Sequence, residues 1–246
     1  MSDKKKEIDR YDARASMLLS ESKIVVANHD KPYLRDSYEA YKNLFKNLPK
    51  EYRILEIGAG MGENTKFLVE LGFEVVASDI SSKSVEVMSS RFKTYKNFKA
   101  KCADMEELPF NDYSFDIVCS AGSLSYGDNE TVMNEIYRVL NNGGFFIAVD
   151  SLNNNPIYQL NRYIHYLRGN RSKSTIERMP NLNLITQYEK KFGLLNVSFF
   201  GSMTWLFPFL KLIMKDSQLK ILSNWFDKKF NIKKSAFKFV MKLTKL

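Results

Sequence analysis

Between Arg53 and Asp150, five short apolar runs alternate with segments of helical periodicity, and this alternation limits the fold more than any other feature. The runs are Arg53 to Ile57, Phe73 to Ser78, Asn97 to Cys102, Phe115 to Ser120 and the FFIAVD stretch ending at Asp150. Helices are expected after the first run to about Leu71, from Ser82 to about Lys93, and from Glu130 to Leu140. Strands each followed by a helix pair in parallel, and the crossover helices cover both faces. The expected architecture is therefore α/β, with a mostly parallel sheet of about seven strands between helical layers. Leu195 to Phe200 supplies a sixth strand and Ser202 to Leu206 a seventh.

Neither a repeat nor a Pro- or Gly-rich linker divides the chain, so residues 1–246 read as one domain. Residues 1–50 form a helical cap, with Tyr38, Tyr41, Leu44 and Phe45 at three- and four-residue spacing. Residues 51–205 form the core, including an acceptor segment at 151–193, and 206–246 form basic amphipathic helices. Cys102 and Cys119 are too few for a disulfide framework, lack metal-ligand spacing and read as packed thiols. No metal is expected. The charged N-terminus carries no secretory leader, and Pro208 and Lys211 interrupt the longest apolar stretch, 199–214. A cytoplasmic location is the expectation.

The chemistry is concentrated after the first strand, at Glu56-Ile57-Gly58-Ala59-Gly60-Met61-Gly62. Alternate glycines let backbone approach a ligand, and the next helix aims its amides at it. Asp79 follows 21 residues after Gly58, where a carboxylate can accept both hydroxyls of a ribose. A dinucleotide fingerprint would place its last glycine at Glu63, and a preceding acid such as Glu56 suits a cation better than a pyrophosphate.

These residues resemble the class I S-adenosylmethionine-dependent methyltransferases, a Rossmann-like family, over residues 53 to about 150. The resemblance implies S-adenosylmethionine as cofactor, with Glu56, Gly58, Gly60 and Gly62 around its methionine portion. It implies Asp79 on the ribose, Ile80 against the adenine, and Asp104 and Met105 at the adenine end. Ser120 and Ala121 match positions that touch the methionine end. Arg138 and Gly143-Gly144 read as structural, and Asp116 as closing a turn.

The acceptor segment contains Asn153-Asn154-Asn155-Pro156, a helix start, and an apolar stripe of Ile157, Leu160, Ile164 and Leu167. Tyr158, Arg162 and His165 share a face away from that stripe. With Tyr126, Arg168 and Arg171 they are the candidate acceptor contacts, and His165 is the candidate general base. Their polarity, and a resemblance to methyltransferases found with bacterial surface-polysaccharide genes, favour a sugar hydroxyl on a lipid- or nucleotide-linked glycan. A lipophilic ring such as a quinone precursor is the alternative, and a non-catalytic cofactor-binding subunit the second.

Charge completes the picture. The chain has 37 basic and 28 acidic residues, and 211–246 alone hold ten lysines against Asp216 and Asp227. From Lys234 onward, Ala236, Phe239, Val240 and Leu243 fall on one helical face and lysines on the other. Such a helix packs on its own domain, lies on an anionic membrane surface, or binds nucleic acid, the least favoured of the three. Oligomeric state is left open.

Overall fold

All five apolar runs form strands in the computed structural model, which describes residues 3–21, 32–169, 171–230 and 232–246. They are β1 (Arg53–Ile57), β2 (Glu74–Asp79), β3 (Phe98–Cys102), β4 (Phe115–Ala121) and β5 (Leu140–Ser151). With β6 (Gly193–Phe200) and β7 (Lys238–Lys245) they make a seven-stranded sheet of order β3-β2-β1-β4-β5-β7-β6. The first five pair in parallel, and β7 runs antiparallel to both β5 and β6.

Two helices precede the sheet, α1 (Asp3–Glu21) and α2 (Pro32–Asn43). The crossovers are α3 (Thr65–Glu70), α4 (Ser82–Arg91) and α5 (Asn129–Val139). Between β5 and β6 lie α6 (Pro156–Leu167), α7 (Lys173–Glu177) and α8 (Leu182–Phe192). Between β6 and β7 lie α9 (Phe207–Leu210) and α10 (Asp216–Phe230). One sheet face packs on α5 and α8 through Val132, Ile136, Leu184 and Phe192. The other packs on α2 and α3 through Tyr41 and Leu68, and on Phe45 in the turn after α2.

The C-terminus departs from expectation. Residues 238–245 are not an amphipathic helix but the strand that joins β5 to β6. Phe239, Met241 and Leu243 enter one core and Val240 the other, so this short run satisfies a two-residue period as well as a helical one. Two open strand edges, each a row of unpaired amides and carbonyls, decide between the periods. Lys245 is buried and donates to the carbonyls of Tyr137 at 2.7 Å and Leu140 at 2.8 Å. Lys238 is buried over the Tyr38 ring, and Lys242 lies 3.7 Å from the Phe145 centroid. Three of the ten lysines are thus used inside the fold. Residues 202–206, expected as a strand, contain a 3₁₀ turn at Thr204–Leu206. Cys119 is buried as expected, but Cys102, at the end of edge strand β3, is exposed.

Candidate cofactor and acceptor site

Directly beyond β1, Gly58 and Gly60 take φ of +61° and +59°, a region that favours glycine. A Cβ on Gly58 would stand 2.4 Å from the Ser123 Cβ, so the loop can lie against the turn after β4 only as glycine. A cavity of about 310 Å³ opens over this loop. Gly58, Gly60, Asp79, Ile80, Asp104, Met105, Ala121 and Tyr126 all line it. Three other residues assigned to the cofactor do not. Gly62 packs beneath the loop, where a Cβ would meet the Phe92 ring at 2.5 Å. Ser120 is buried and shares a hydrogen bond of 2.7 Å with the Ser123 hydroxyl.

The third is Glu56, which is 1% exposed and accepts a 2.6 Å hydrogen bond from the Thr65 hydroxyl. Burial pushes its carboxyl up to about 7, against the lowering effect of that hydrogen bond, and Glu63 and Asp79 add repulsion. Its place is under the loop, where it ties β1 to the start of α3.

Asp79 ends β2 with its carboxylate fixed from both sides. Oδ2 accepts from the Gly60 amide at 2.8 Å and Oδ1 from the Ser81 amide at 2.9 Å. Each oxygen retains a lone pair, so a diol can still be received. Burial raises the Asp79 pKa, and the two amides oppose the rise.

The cavity has a wall that motif reading missed. Lys4, Glu7, Tyr11 and Arg14 on α1 line it, a three- and four-residue spacing that was legible as one helical face. Lys4 pairs with Asp104 and, at 2.8 Å, with Glu106. The Tyr11 hydroxyl donates to that of Tyr126 at 3.0 Å, and Arg14 reaches Glu63 at 3.8 Å. Below them Ala15 packs on Met61 and Val87, and Asp12 accepts from the Ser81 hydroxyl at 2.5 Å. This helix therefore covers the cavity from Asp104 to the glycine loop.

Residues 55–148 match the methyltransferase domain family. Over these residues the chain resembles the class I methyltransferases. An uncharacterized methyltransferase of Bacillus subtilis, YcgJ, is 28% identical over 174 residues, 69% of this chain and 65% of that protein. A demethylmenaquinone methyltransferase of Clavibacter sepedonicus is 36% identical over 103 residues, 40% of each. The chain thus spans less than two thirds of the length of these relatives. Among solved structures, the [4+2]-cyclase SpnF superposes with a TM-score of 0.65 at 15% identity, over 96% of this chain and 94% of that one. That likeness concerns the fold alone.

That resemblance implies S-adenosylmethionine as the cofactor, and the residues of this chain suit it. Gly58 and Gly60 bring bare backbone to the cavity, and Asp79 presents two anchored acceptors there, whereas Asp104 and Glu63 are already paired with Lys4 and Arg14.

The acceptor residues are a different matter. Tyr158 and Arg162 face inward, and this corrects their expected role as acceptor contacts. The Tyr158 hydroxyl shares a 2.5 Å hydrogen bond with Thr204, and Arg162 donates to the Leu152 carbonyl at 2.9 Å and to Asn153 at 2.7 Å. Burial lowers the Arg162 guanidinium to about 10. Asn154 and Asn155 accept from the Leu182 and Ile157 amides, each holding a helix start. His165 is half-buried on α6 and does not line the cavity, nor do exposed Arg168 and half-buried Arg171. His29, the other histidine of the sequence, lies outside the described residues. Arg138 is structural, bonding Glu135, Asp112 and the carbonyls of Leu108 and Phe110.

Proposed function

We propose that this chain transfers the methyl group of S-adenosylmethionine to a small lipophilic acceptor admitted beneath α1. The cofactor supplies an electrophilic methyl group on a sulfonium; the chain supplies position and a dry site. Asp79, anchored by two backbone amides where the cavity meets the glycine loop, carries the reading, because it offers a preset receptor for a ribose diol. The α1 helix, tied down at Asp104, Tyr126 and Glu63, excludes water from that receptor.

A lipophilic acceptor is favoured over a free sugar for a specific reason. Tyr158 and Arg162, the residues best suited to a polar acceptor, are spent on the fold, and Tyr11 and Tyr126 present aromatic rings at the cavity wall beside Lys4, Glu7 and Arg14. The quinone-methylating relative supports the same class. A hydroxyl on a lipid-linked glycan is the second reading, supported by Arg168 and Arg171 beside α7, which packs against the turn carrying Tyr126.

Incubation with methyl-labelled S-adenosylmethionine and, in turn, quinone precursors, lipid extract and nucleotide sugars tests both. Label in the organic phase is expected. Label confined to nucleotide sugars would overturn the acceptor class, and no transfer by protein that binds the cofactor would overturn the reaction.

A further inference from the structure

On α6 the polarity of the helix is reversed relative to its setting. Tyr158 and Arg162 point into the domain, while Leu160 is 62% and Leu167 66% exposed, with Ile164 between them. Water selects against an apolar helical face turned outward, so such a face marks a surface that is covered in use. A second apolar strip follows β6, where Leu212 is 83% and Ile213 80% exposed and Trp225 stands out from α10.

The two strips belong to neighbouring elements. Asn155, capping α6, donates to the Ser235 hydroxyl at 3.2 Å, and the Tyr158 ring meets that of Phe237 at 5.0 Å. Charge follows the same elements. Residues 156–178 and 207–235 contain twelve basic and three acidic side chains, a net +9 that equals the net charge of the whole chain. The remainder is neutral.

We propose that α6 and the 207–235 segment form one docking face for an anionic lipid bilayer. Apolar side chains flanked by lysine and arginine are what an interfacial helix presents to acyl chains and anionic headgroups. A second copy of this chain is a poorer occupant. A two-fold interface apposes identical patches, which here would bring two lysine- and arginine-rich faces together. The face also adjoins the lid over the cavity: in α7, which follows α6, the Ser174 amide donates to Asp3 at 3.1 Å and the Thr175 hydroxyl to Glu7 at 3.3 Å. Docking there sets the bilayer beside α1. The proposal does not depend on which acceptor is methylated, and its readout is binding, not turnover.

The test is co-sedimentation of the full chain with vesicles of phosphatidylcholine alone and with added phosphatidylglycerol, at low and high salt. Binding is expected only with phosphatidylglycerol and should fall steeply with salt. Lys228→Glu with Lys234→Glu should weaken it at least about 25-fold, taking about five-fold per lysine near an anionic surface. Leu160→Ser with Leu167→Ser should weaken it at least about tenfold, from the loss of buried apolar area. All four positions are exposed, so unchanged melting and cofactor affinity verify that the variants fold. Full-length protein that ignores anionic vesicles at low salt overturns the proposal. So does sedimentation equilibrium showing a dimer that the leucine pair abolishes while vesicle binding is unchanged.

Discussion

Glu56→Gln isolates the energetic cost of the carboxylate under the glycine loop. The side chain is 1% exposed, and its pKa moves from 4.5 to about 7. Between those values the folded protein holds a proton that the unfolded chain has released. Stability therefore falls as pH rises through that window, and the full penalty is present above it. At about 1.4 kcal/mol per pKa unit the penalty is about 3 kcal/mol in all, of which about 2.5 kcal/mol falls between pH 5 and pH 8. Glutamine does not titrate, and its carbonyl still accepts from Thr65. Urea unfolding of both proteins without cofactor, at the two pH values, gives the double difference. The variant should gain about 2.5 kcal/mol on the wild type between pH 5 and pH 8. Asp79, also raised by burial, drifts in the same direction but is common to both proteins, so it enters only through its repulsion of Glu56. A double difference below about 1 kcal/mol would refute a buried carboxyl titrating near neutrality.

Three further outcomes are expected. Asp79→Ala should cost about 1.5–3 kcal/mol of cofactor affinity by calorimetry, and unchanged affinity in a folded variant would remove Asp79 from the ribose site. Gly58→Ala forces a methyl group to 2.4 Å from Ser123 at a positive φ, so it should abolish measurable cofactor binding and lower the melting temperature; a variant that does neither contradicts the loop geometry. Tyr158→Phe deletes the hydroxyl bonded to Thr204 and should cost about 1 kcal/mol of stability with no change in KM for the acceptor, whereas a raised KM at unchanged stability would restore Tyr158 to the acceptor site.

The sheet and the cofactor loop were legible in the sequence because both depend on local pattern. Five apolar runs separated by helical segments admit one kind of sheet, and a glycine loop ending β1 with an acid ending β2 lands at the same sheet edge whatever else the chain does. Arg138 could likewise be read as structural. Three features needed the tertiary structure. The tail became β7 because two strand edges required a partner, and its eight residues fit either period. The face of α6 was decided by buried acceptors, the Leu152 carbonyl and Asn153, that outbid apolar contact for Arg162, and by Thr204, 46 residues from Tyr158. The wall of the cavity came from α1, whose partners Glu63, Asp104 and Tyr126 lie 49 to 115 residues away. Periodicity records which side chains share a face, but only the surroundings assembled by folding determine which face is turned inward.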